Sequence, residues 1–251
     1  MSFSVLGIEI KRISKNDREN IIKEINSKIQ SYEPDIFILP EKWLIDKLTQ
    51  DEALELLKEL LIENIPIALP GSFSILDGNF LFNRALIFNF GKFIGFQDKI
   101  IPYRTEKRHY YPGNKIKIFK LEGIRISAPI CYDIDFPFYG KISAANGVDL
   151  IINPSLIKME FKEEWHYYII ARSLENRIPV ISVNSSFQFA GGSIFVHPYR
   201  HNIGAKLRII ESSDGVVFGK LVLEDFRDIR DIRISEDPGI YRANGIDVIE
   251  I

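Results

Sequence analysis

Short apolar runs of strand type alternate with amphipathic runs of helix type along this chain, and that alternation limits its fold more than any other feature. Residues 3–10 and the almost wholly apolar segment 35–40 predict buried strands. Between them, isoleucines at helical spacing predict a helix over 16–30. A second helix is predicted over 51–63, with Asp51 as its N-cap. The first quarter of the chain therefore has the pattern of an α/β protein.

The same pattern continues to the other end of the chain. No linker rich in Pro, Gly or Ser interrupts it, and no period of 20–50 residues repeats. The sequence therefore predicts a single α/β domain over 1–251, in which two sheets pack together and helices cover them outside. Further strands are predicted over 65–71, 81–90, 93–99, 124–131, 149–153, 179–184, 193–197, 205–211 and 216–223, and further helices over 137–146, 161–176 and 224–233.

Composition excludes several classes of protein. The 32 Lys+Arg and 34 Asp+Glu residues give a net charge of −2, so nucleic acid is not expected as a partner. One cysteine rules out an internal disulfide, and none of the 4 histidines has metal-ligand spacing, so we expect no metal and no cofactor. No apolar run approaches the roughly 20 residues that span a bilayer, and the amino terminus lacks signal-peptide character. A cytoplasmic protein without a membrane partner is the expectation.

Isoleucine, lysine and glutamate dominate the composition, and there are only 2 Met and 1 Cys. This composition is typical of proteins from hot environments, where thermolabile side chains are sparse. Codon bias in an AT-rich genome predicts the same composition. A melting midpoint within the usual mesophile range of about 45–65 °C would exclude the thermophile interpretation.

Three residues of chemical interest stand at the ends of predicted strands, where α/β folds expose functional groups. Glu41 follows the strand 36–39, Lys99 closes the strand 93–99, and Cys131 ends the strand 124–130. Each has an ordinary alternative role: a first solvated carboxylate, a solvated charge and a small buried apolar side chain. Cys131 precedes a polar turn that opens a helix, and a helix start favours the thiolate.

Together the three residues supply a complete chemistry. Attack on an amide carbon requires a nucleophile, a base that takes its proton and a cation for the developing oxyanion. Cys131, Glu41 and Lys99 would fill these roles in that order. No histidine has to serve as the base, which matters because only 4 are present.

The segments around these residues resemble the nitrilase, or carbon–nitrogen hydrolase, superfamily, and the resemblance covers nearly the whole chain. Cys-Tyr-Asp is more similar to the amidase-type branches than to true nitrilases, which commonly have Cys-Trp-Glu. The similar segments, in chain order, are Leu39-Pro40-Glu41, Phe82-Asn83-Arg84-Ala85-Leu86 through Gly95, Asp98-Lys99-Ile100, Glu106 with Tyr111-Pro112-Gly113, Ile130-Cys131-Tyr132-Asp133, Trp165 with Ala171-Arg172-Ser173-Leu174-Glu175-Asn176, and Asn184 with Gly191-Gly192-Ser193.

The resemblance implies a four-layer αββα sandwich of two mixed sheets flanked by helices, which associates through one helical layer into at least a homodimer. It implies Glu41 as general base, Lys99 as stabiliser of the tetrahedral intermediate and Cys131 as nucleophile. The backbone N–H of Tyr132 would be a second oxyanion donor, and Glu106 would hold Lys99 or orient the substrate. We also expect a structural ion pair between Arg172 and Glu175, and packing or interface roles for Trp165 and Tyr168.

Three departures from the family pattern leave the substrate open. Pro129 stands where many members have Gly, Phe138 where many amidases have Glu, and Ile101 where His is frequent. The predicted partner is a small linear amide that releases ammonia through a cysteinyl thioester. An N-carbamoyl hydrolase, an N-acyltransferase (whose branch Asp133-Ile134-Asp135-Phe136-Pro137 resembles slightly) and a catalytically silent scaffold are the alternatives.

Overall fold

A computed structural model describes residues 1–186, 191–237, 239 and 247–251. The described ranges contain five α-helices, none of which is long and apolar enough to cross a lipid bilayer. The helices are α1 (Glu19–Tyr32), α2 (Gln50–Leu57), α3 (Pro137–Ala145), α4 (Lys162–Asn176) and α5 (Arg227–Ser235). The strands are β1 (Ser2–Ile8), β2 (Ile36–Ile38), β3 (Lys47–Leu48), β4 (Ile67–Leu69), β5 (Ser72–Asp77), β6 (Phe80–Asn89), β7 (Lys92–Asp98), β8 (Lys115–Leu121), β9 (Ile124–Ser127), β10 (Leu150–Ser155), β11 (Val180–Asn184), β12 (Ile194–His201), β13 (Gly204–Glu211), β14 (Val216–Val222) and β15 (Asp247–Glu250).

These strands form two mixed sheets. The first has the order β14-β1-β2-β4-β6-β5-β3, and β7 pairs with β6 beside this path. The second has the order β13-β12-β11-β10-β9-β8-β15. In each sheet the central strands are parallel, β1-β2-β4 in the first and β9-β10-β11 in the second. The carboxyl ends of those strands consequently lie at one edge of each sheet.

Alternate residues of β1 belong to different layers, because successive side chains of a strand point to opposite faces. Phe3 and Val5 join the apolar core between the two sheets, whereas Leu6 and Ile8 pack in the core on the helix side. Gly7 faces the second sheet, and a Cβ atom there would lie 2.5 Å from a methyl carbon of Val183. The two sheets are therefore packed as closely as a glycine permits.

Helices cover both outer faces. On the first sheet, α1 and α2 contribute buried apolar residues such as Ile25 and Leu57 to the outer core. On the second sheet, α3, α4 and α5 contribute Ala144, Ile169 and Ile229. The result is the predicted four-layer αββα sandwich of two mixed sheets flanked by helices.

The structure corrects several predicted elements. The helix predicted over 51–63 begins one residue earlier and ends at Leu57, and its N-cap is Thr49 rather than Asp51. Thr49 and Glu52 form a capping box, which satisfies two backbone N–H groups at once and outcompetes a lone Asp51. Strands β3, β5, β8 and β15 were not predicted.

Candidate active site

The three candidate residues converge at the edge where the two sheets meet. Glu41 follows β2, Lys99 follows β7 and Cys131 follows β9. Strand β7 runs in the direction of β4, because both are antiparallel to β6, and so Lys99 lies at the same edge as Glu41. A hydrogen bond of 3.3 Å from the Glu41 N–H to the carbonyl of Ser155, at the end of β10, joins this edge to the second sheet.

Glu41 is buried and fixed by two donors. Its side chain is only 2 % exposed, which excludes the alternative of a solvated charge at a strand end. Asn83 Nδ2 donates to Glu41 Oε1 at 2.6 Å, and Ser72 Oγ donates to Asn83 Oδ1 at 2.7 Å. Lys99 Nζ donates to the same Glu41 oxygen at 2.9 Å. The two hydrogen bonds from Asn83 and Lys99 hold Glu41 Oε1 in place.

Lys99 is a buried ammonium between two carboxylates. It donates to Glu41 Oε1 and, at 2.8 Å, to Glu106 Oε2, which also accepts the N–H of Tyr103 at 2.8 Å. Burial disfavours the charged form, but the negative charge of Glu41 and the charge and hydrogen bond of Glu106 outweigh burial and hold the pKa of Lys99 well above its ordinary value. Lys99 therefore remains a cation, and the alternative of a solvated charge is wrong.

Lys42 adds a second ammonium that the sequence analysis did not identify. Its Nζ pairs with Glu106 Oε1 and lies 4.9 Å from the centre of the Tyr110 ring. Although burial opposes ionisation of Glu106, Lys99 and Lys42 lower the pKa of this carboxyl to about 2. Lys42 itself has a left-handed backbone with φ 46°. The sequence shows that Lys42 is next to Glu41, but it does not show the pairing of Lys42 with Glu106, which is 64 residues further along the chain.

Cys131 is placed by a strained turn rather than by a strand. Strand β9 ends at Ser127, and the cysteine opens a short 3₁₀ helix, Cys131–Asp135, with φ 46°. Burial and the carboxylate of Glu41 raise the pKa of the thiol well above its ordinary value, against the opposing effects of Lys99 and the Leu156 N–H. The expectation that a helix start favours the thiolate is therefore wrong. At rest Cys131 is a protonated thiol beside a carboxylate.

The residues after the cysteine complete the turn. The Tyr132 ring makes edge-on contacts with Tyr103, at 4.9 Å between centroids, and with Phe136, at 5.1 Å. Asp133 is fully buried and accepts backbone N–H groups from Ile100, Ile101 and Ile130, at distances from 2.7 to 3.2 Å. One carboxyl group thus bonds to the backbone beside both Lys99 and Cys131.

Residues on α4 support this turn from outside. Arg172 donates from Nε to the carbonyl of Ile134 at 2.8 Å and forms the predicted ion pair with Glu175 at 3.0 Å. Trp165 is buried and donates to Ser182 Oγ at 3.0 Å, as a packing role requires. Tyr168 is 40 % exposed and stays an interface candidate. Among the residues that the structure describes, no cluster of His, Cys, Asp and Glu has the arrangement of a metal site.

The arrangement can carry out acyl chemistry. Its charged groups alternate in the order Glu41, Lys99, Glu106 and Lys42, so that each charge is neutralised inside the protein. A thiol beside Glu41 can lose its proton to that carboxylate without leaving the buried site. Lys99 can then stabilise a negative oxygen formed nearby, because an ammonium interacts more strongly with charge at low dielectric.

Comparison with known proteins identifies the family. The model of the carbon–nitrogen hydrolase family matches residues 6–231. The chain is 27% identical over 160 residues to a probable nitrilase of Schizosaccharomyces pombe, a match that covers 61% of this chain and 58% of that protein. It is 25% identical over 232 residues to 2-oxoglutaramate amidase of Bacillus subtilis, with 85% and 88% covered.

A solved structure shows the same fold. Nit3 of Saccharomyces cerevisiae, described as a member of branch 10 of the nitrilase superfamily, superposes with a TM-score of 0.78 at 20% identity. The superposition covers 92% of this chain and 94% of that one. The family match and the shared αββα fold lead to one conclusion: the chain belongs to the carbon–nitrogen hydrolase family, the nitrilase superfamily, and is an enzyme of that class.

Proposed function

We propose that this protein is a thiol amidase that hydrolyses a small linear amide through a cysteinyl thioester. The observation that carries the proposal is the convergence of Glu41, Lys99 and Cys131 in one buried cluster, with Lys99 Nζ 2.9 Å from Glu41 Oε1 and the thiol pKa raised by burial and Glu41. These three groups supply the base, the cation and the nucleophile that acyl transfer requires.

In the first half-reaction Glu41 takes the thiol proton of Cys131, and the sulfur attacks the amide carbonyl carbon. The carbonyl electrons move to oxygen, where Lys99 and the backbone N–H of Tyr132 stabilise the oxyanion. The intermediate collapses, Glu41 returns its proton to the leaving nitrogen, and ammonia departs. The acyl group remains on Cys131 as a thioester.

In the second half-reaction a water molecule attacks the thioester. Glu41 takes one proton from the water, and the same oxyanion donors stabilise the second tetrahedral intermediate. Collapse expels the Cys131 sulfur, which regains its proton from Glu41, and the carboxylic acid leaves. Glu106 acts throughout by holding the Lys99 ammonium, and Lys42 holds Glu106.

A substrate panel tests this function. Ammonia release is measured from simple amides, ω-amides of dicarboxylic acids, N-carbamoyl compounds and nitriles, with the wild type beside Cys131→Ala. We expect release from a linear amide and none from the variant, since the chain has 1 Cys and no second thiol can substitute. Equal release by both proteins would refute the thiol mechanism. Release from N-carbamoyl compounds alone would assign that alternative instead.

Acyl transfer is separated from hydrolysis in the same assay. A competing amine is added, and its acylated product is measured beside the free acid. An amidase gives mainly the acid, whereas an N-acyltransferase gives mainly the acylated amine. The Bacillus subtilis relative, named 2-oxoglutaramate amidase, supports the hydrolytic outcome.

We also propose that the protein forms a homodimer through the helical layer of α3, α4 and α5. Large apolar side chains are exposed on this layer, among them Tyr168 at 40%, Leu174 at 40% and Ile232 at 50%. Burying them against a second copy removes apolar surface from water. The resemblance to the family implies association through one helical layer, without saying which.

A further inference from the structure

The carboxyl group of Asp133 connects the two reacting elements of the site. Its Oδ1 accepts the N–H groups of Ile101 at 2.7 Å and Ile100 at 3.1 Å, directly after Lys99. Its Oδ2 accepts the N–H of Ile130 at 3.0 Å, directly before Cys131, and is 3.2 Å from the Ile100 nitrogen. Both oxygens are therefore needed, one for each element.

We propose that Asp133 is a positioning residue that sets the placement of the Lys99 ammonium relative to the Cys131 thiol, and that it does so only as a carboxylate. This inference rests on the proposed function, because the placement of Lys99 relative to Cys131 matters only if the two residues act together in catalysis. The backbone at Cys131, with φ 46°, is one that L-residues adopt reluctantly, and the bond from Ile130 to Asp133 helps to hold it.

Protonation would break this connection. A neutral carboxyl group has one hydroxyl oxygen, which is a weaker acceptor for an N–H than a carboxylate oxygen and must also place its own hydrogen. Either the Ile130 bond or the Ile101 bond is then weakened. Asparagine has the same shape and one acceptor oxygen, so Asp133→Asn imitates the protonated residue.

The surroundings of Asp133 bring its pKa into a pH range in which activity can be measured. Burial raises its pKa to about 7, against the charge of Lys99 from the end of β7 and the three backbone N–H groups. Tyr139 on α3 faces the carboxyl group of Asp133. Burial and the charge of Asp133 raise the pKa of the Tyr139 phenol well above its ordinary value, so the phenol stays protonated. The site should therefore lose its geometry as the pH falls through the neutral range.

The first test compares kcat of the wild type and Asp133→Asn across pH, with a linear amide as substrate. At about pH 8.5 the wild type should be about 10²-fold faster, the effect of a misplacement of about 1 Å. At about pH 5.5 the two values should converge, because both residues are then neutral. The ratio cancels the titration of groups that do not interact with Asp133, and Lys99 and Tyr139, which do, stay protonated over this range. A ratio that does not change with pH would overturn the proposal.

A matched control is Asp149→Asn. Asp149 is also buried and accepts a backbone N–H, from Arg125 at 2.9 Å, but its other partners are Arg227 and Arg230. This variant should lose stability without any pH-dependent loss of kcat. The same pH-dependent loss in both variants would show a general effect of a lost buried carboxylate and would contradict the assignment.

The second test needs neither a variant nor turnover. Hydrogen-exchange protection factors are measured for the Ile101, Ile130 and Arg125 amides of the wild type. Protection of Ile101 and Ile130 should fall between about pH 8.5 and about pH 5.5, while Arg125 stays protected because the arginines lower the pKa of Asp149 against its burial. Unchanged protection at all three amides would overturn the proposal. If no amide is hydrolysed but protection falls, the proposed function fails and the connection by Asp133 stands.

Discussion

The ammonium of Lys99 lies 2.9 Å from Glu41 Oε1, and both side chains are only 2 % exposed. A cation and a carboxylate thus share one hydrogen bond inside the protein, beside a thiol whose pKa is raised by burial and by Glu41. The charges of the resting site are balanced. In the proposed mechanism the thiolate forms only when Glu41 takes the proton and a substrate is present to receive the sulfur, so activity would depend on a proton transfer within the site and not on a standing thiolate.

Replacing Lys99 by Met should lower kcat about 10²- to 10³-fold, because the oxyanion loses one of its donors. The matched control is Lys92→Met, at the exposed start of the same strand, which should keep normal activity. The comparison uses kcat for the amide identified by the substrate panel. Near-normal turnover by Lys99→Met would refute its role.

Replacing Lys42 by Met should weaken catalysis about tenfold, the effect of losing one charged hydrogen bond that orients Glu106. Lys99 and Lys42 together lower the pKa of Glu106 against burial, and removal of Lys42 raises it again. Glu106 would then be protonated at a higher pH and release Lys99 sooner. The lower acid limb of kcat/KM, which lies below the one that Asp133 sets near neutral pH, should accordingly move to higher pH. An unmoved limb, equal to that of the exposed control Lys47→Met, would contradict the connection through Glu106.

The convergence of the candidate residues at one edge could be predicted where one local signal was enough. A buried run followed by Pro40 and Glu41 marks a strand end, and so does the apolar segment before Cys131. Lys42 could not be recognised as part of the site because its ion pair with Glu106 forms only in the folded chain. The predicted ionisation state of Cys131 was wrong for a similar reason, since the pKa of the thiol depends on burial and on Glu41 rather than on the local turn.

Of the strands that were not predicted, one has a local sequence pattern and others have none. In β8 the buried Ile116 and Ile118 alternate with lysines, a period of two that predicts a strand from the sequence alone. By contrast, β15 is four residues long and pairs in parallel with the distant β8, and β3 has only two residues. Such short strands are formed by their neighbours, so no local pattern of their own identifies them.

Acid should destabilise the fold in part through His197. Burial lowers the pKa of this histidine, whose Nε2 accepts the N–H of Val222 at 3.0 Å. Its stabilising contribution is complete above the unfolded pKa of about 6.5 and is lost as the pH falls below it, because the unfolded chain then binds a proton that the folded chain does not. The change in the free energy of unfolding by urea from about pH 7.5 to about pH 5.5 should therefore be more favourable to the folded state in His197→Gln than in the wild type. The exposed control His201→Gln should behave as the wild type does, and an equal change in all three proteins would exclude His197.

The quaternary proposal predicts a particle of twice 28.9 kDa in solution. A charge at Leu174 on α4, introduced as Leu174→Glu, should shift it toward the monomer, because an unpaired charge in an apolar interface is unfavourable. The control is Ile203→Glu, in the fully exposed turn between β12 and β13. Light scattering after size exclusion gives the masses. A wild type that is monomeric at all concentrations would disprove the dimer.

The central claim is that the acyl group of the substrate passes through Cys131. The most direct measurement is the intact mass of the protein quenched in acid while it releases ammonia from its amide substrate. The account predicts an added acyl mass on the wild type that hydroxylamine removes, and no such mass on Cys131→Ala. Steady ammonia release from a wild type that never carries the acyl mass, or an equal adduct on Cys131→Ala, would contradict it.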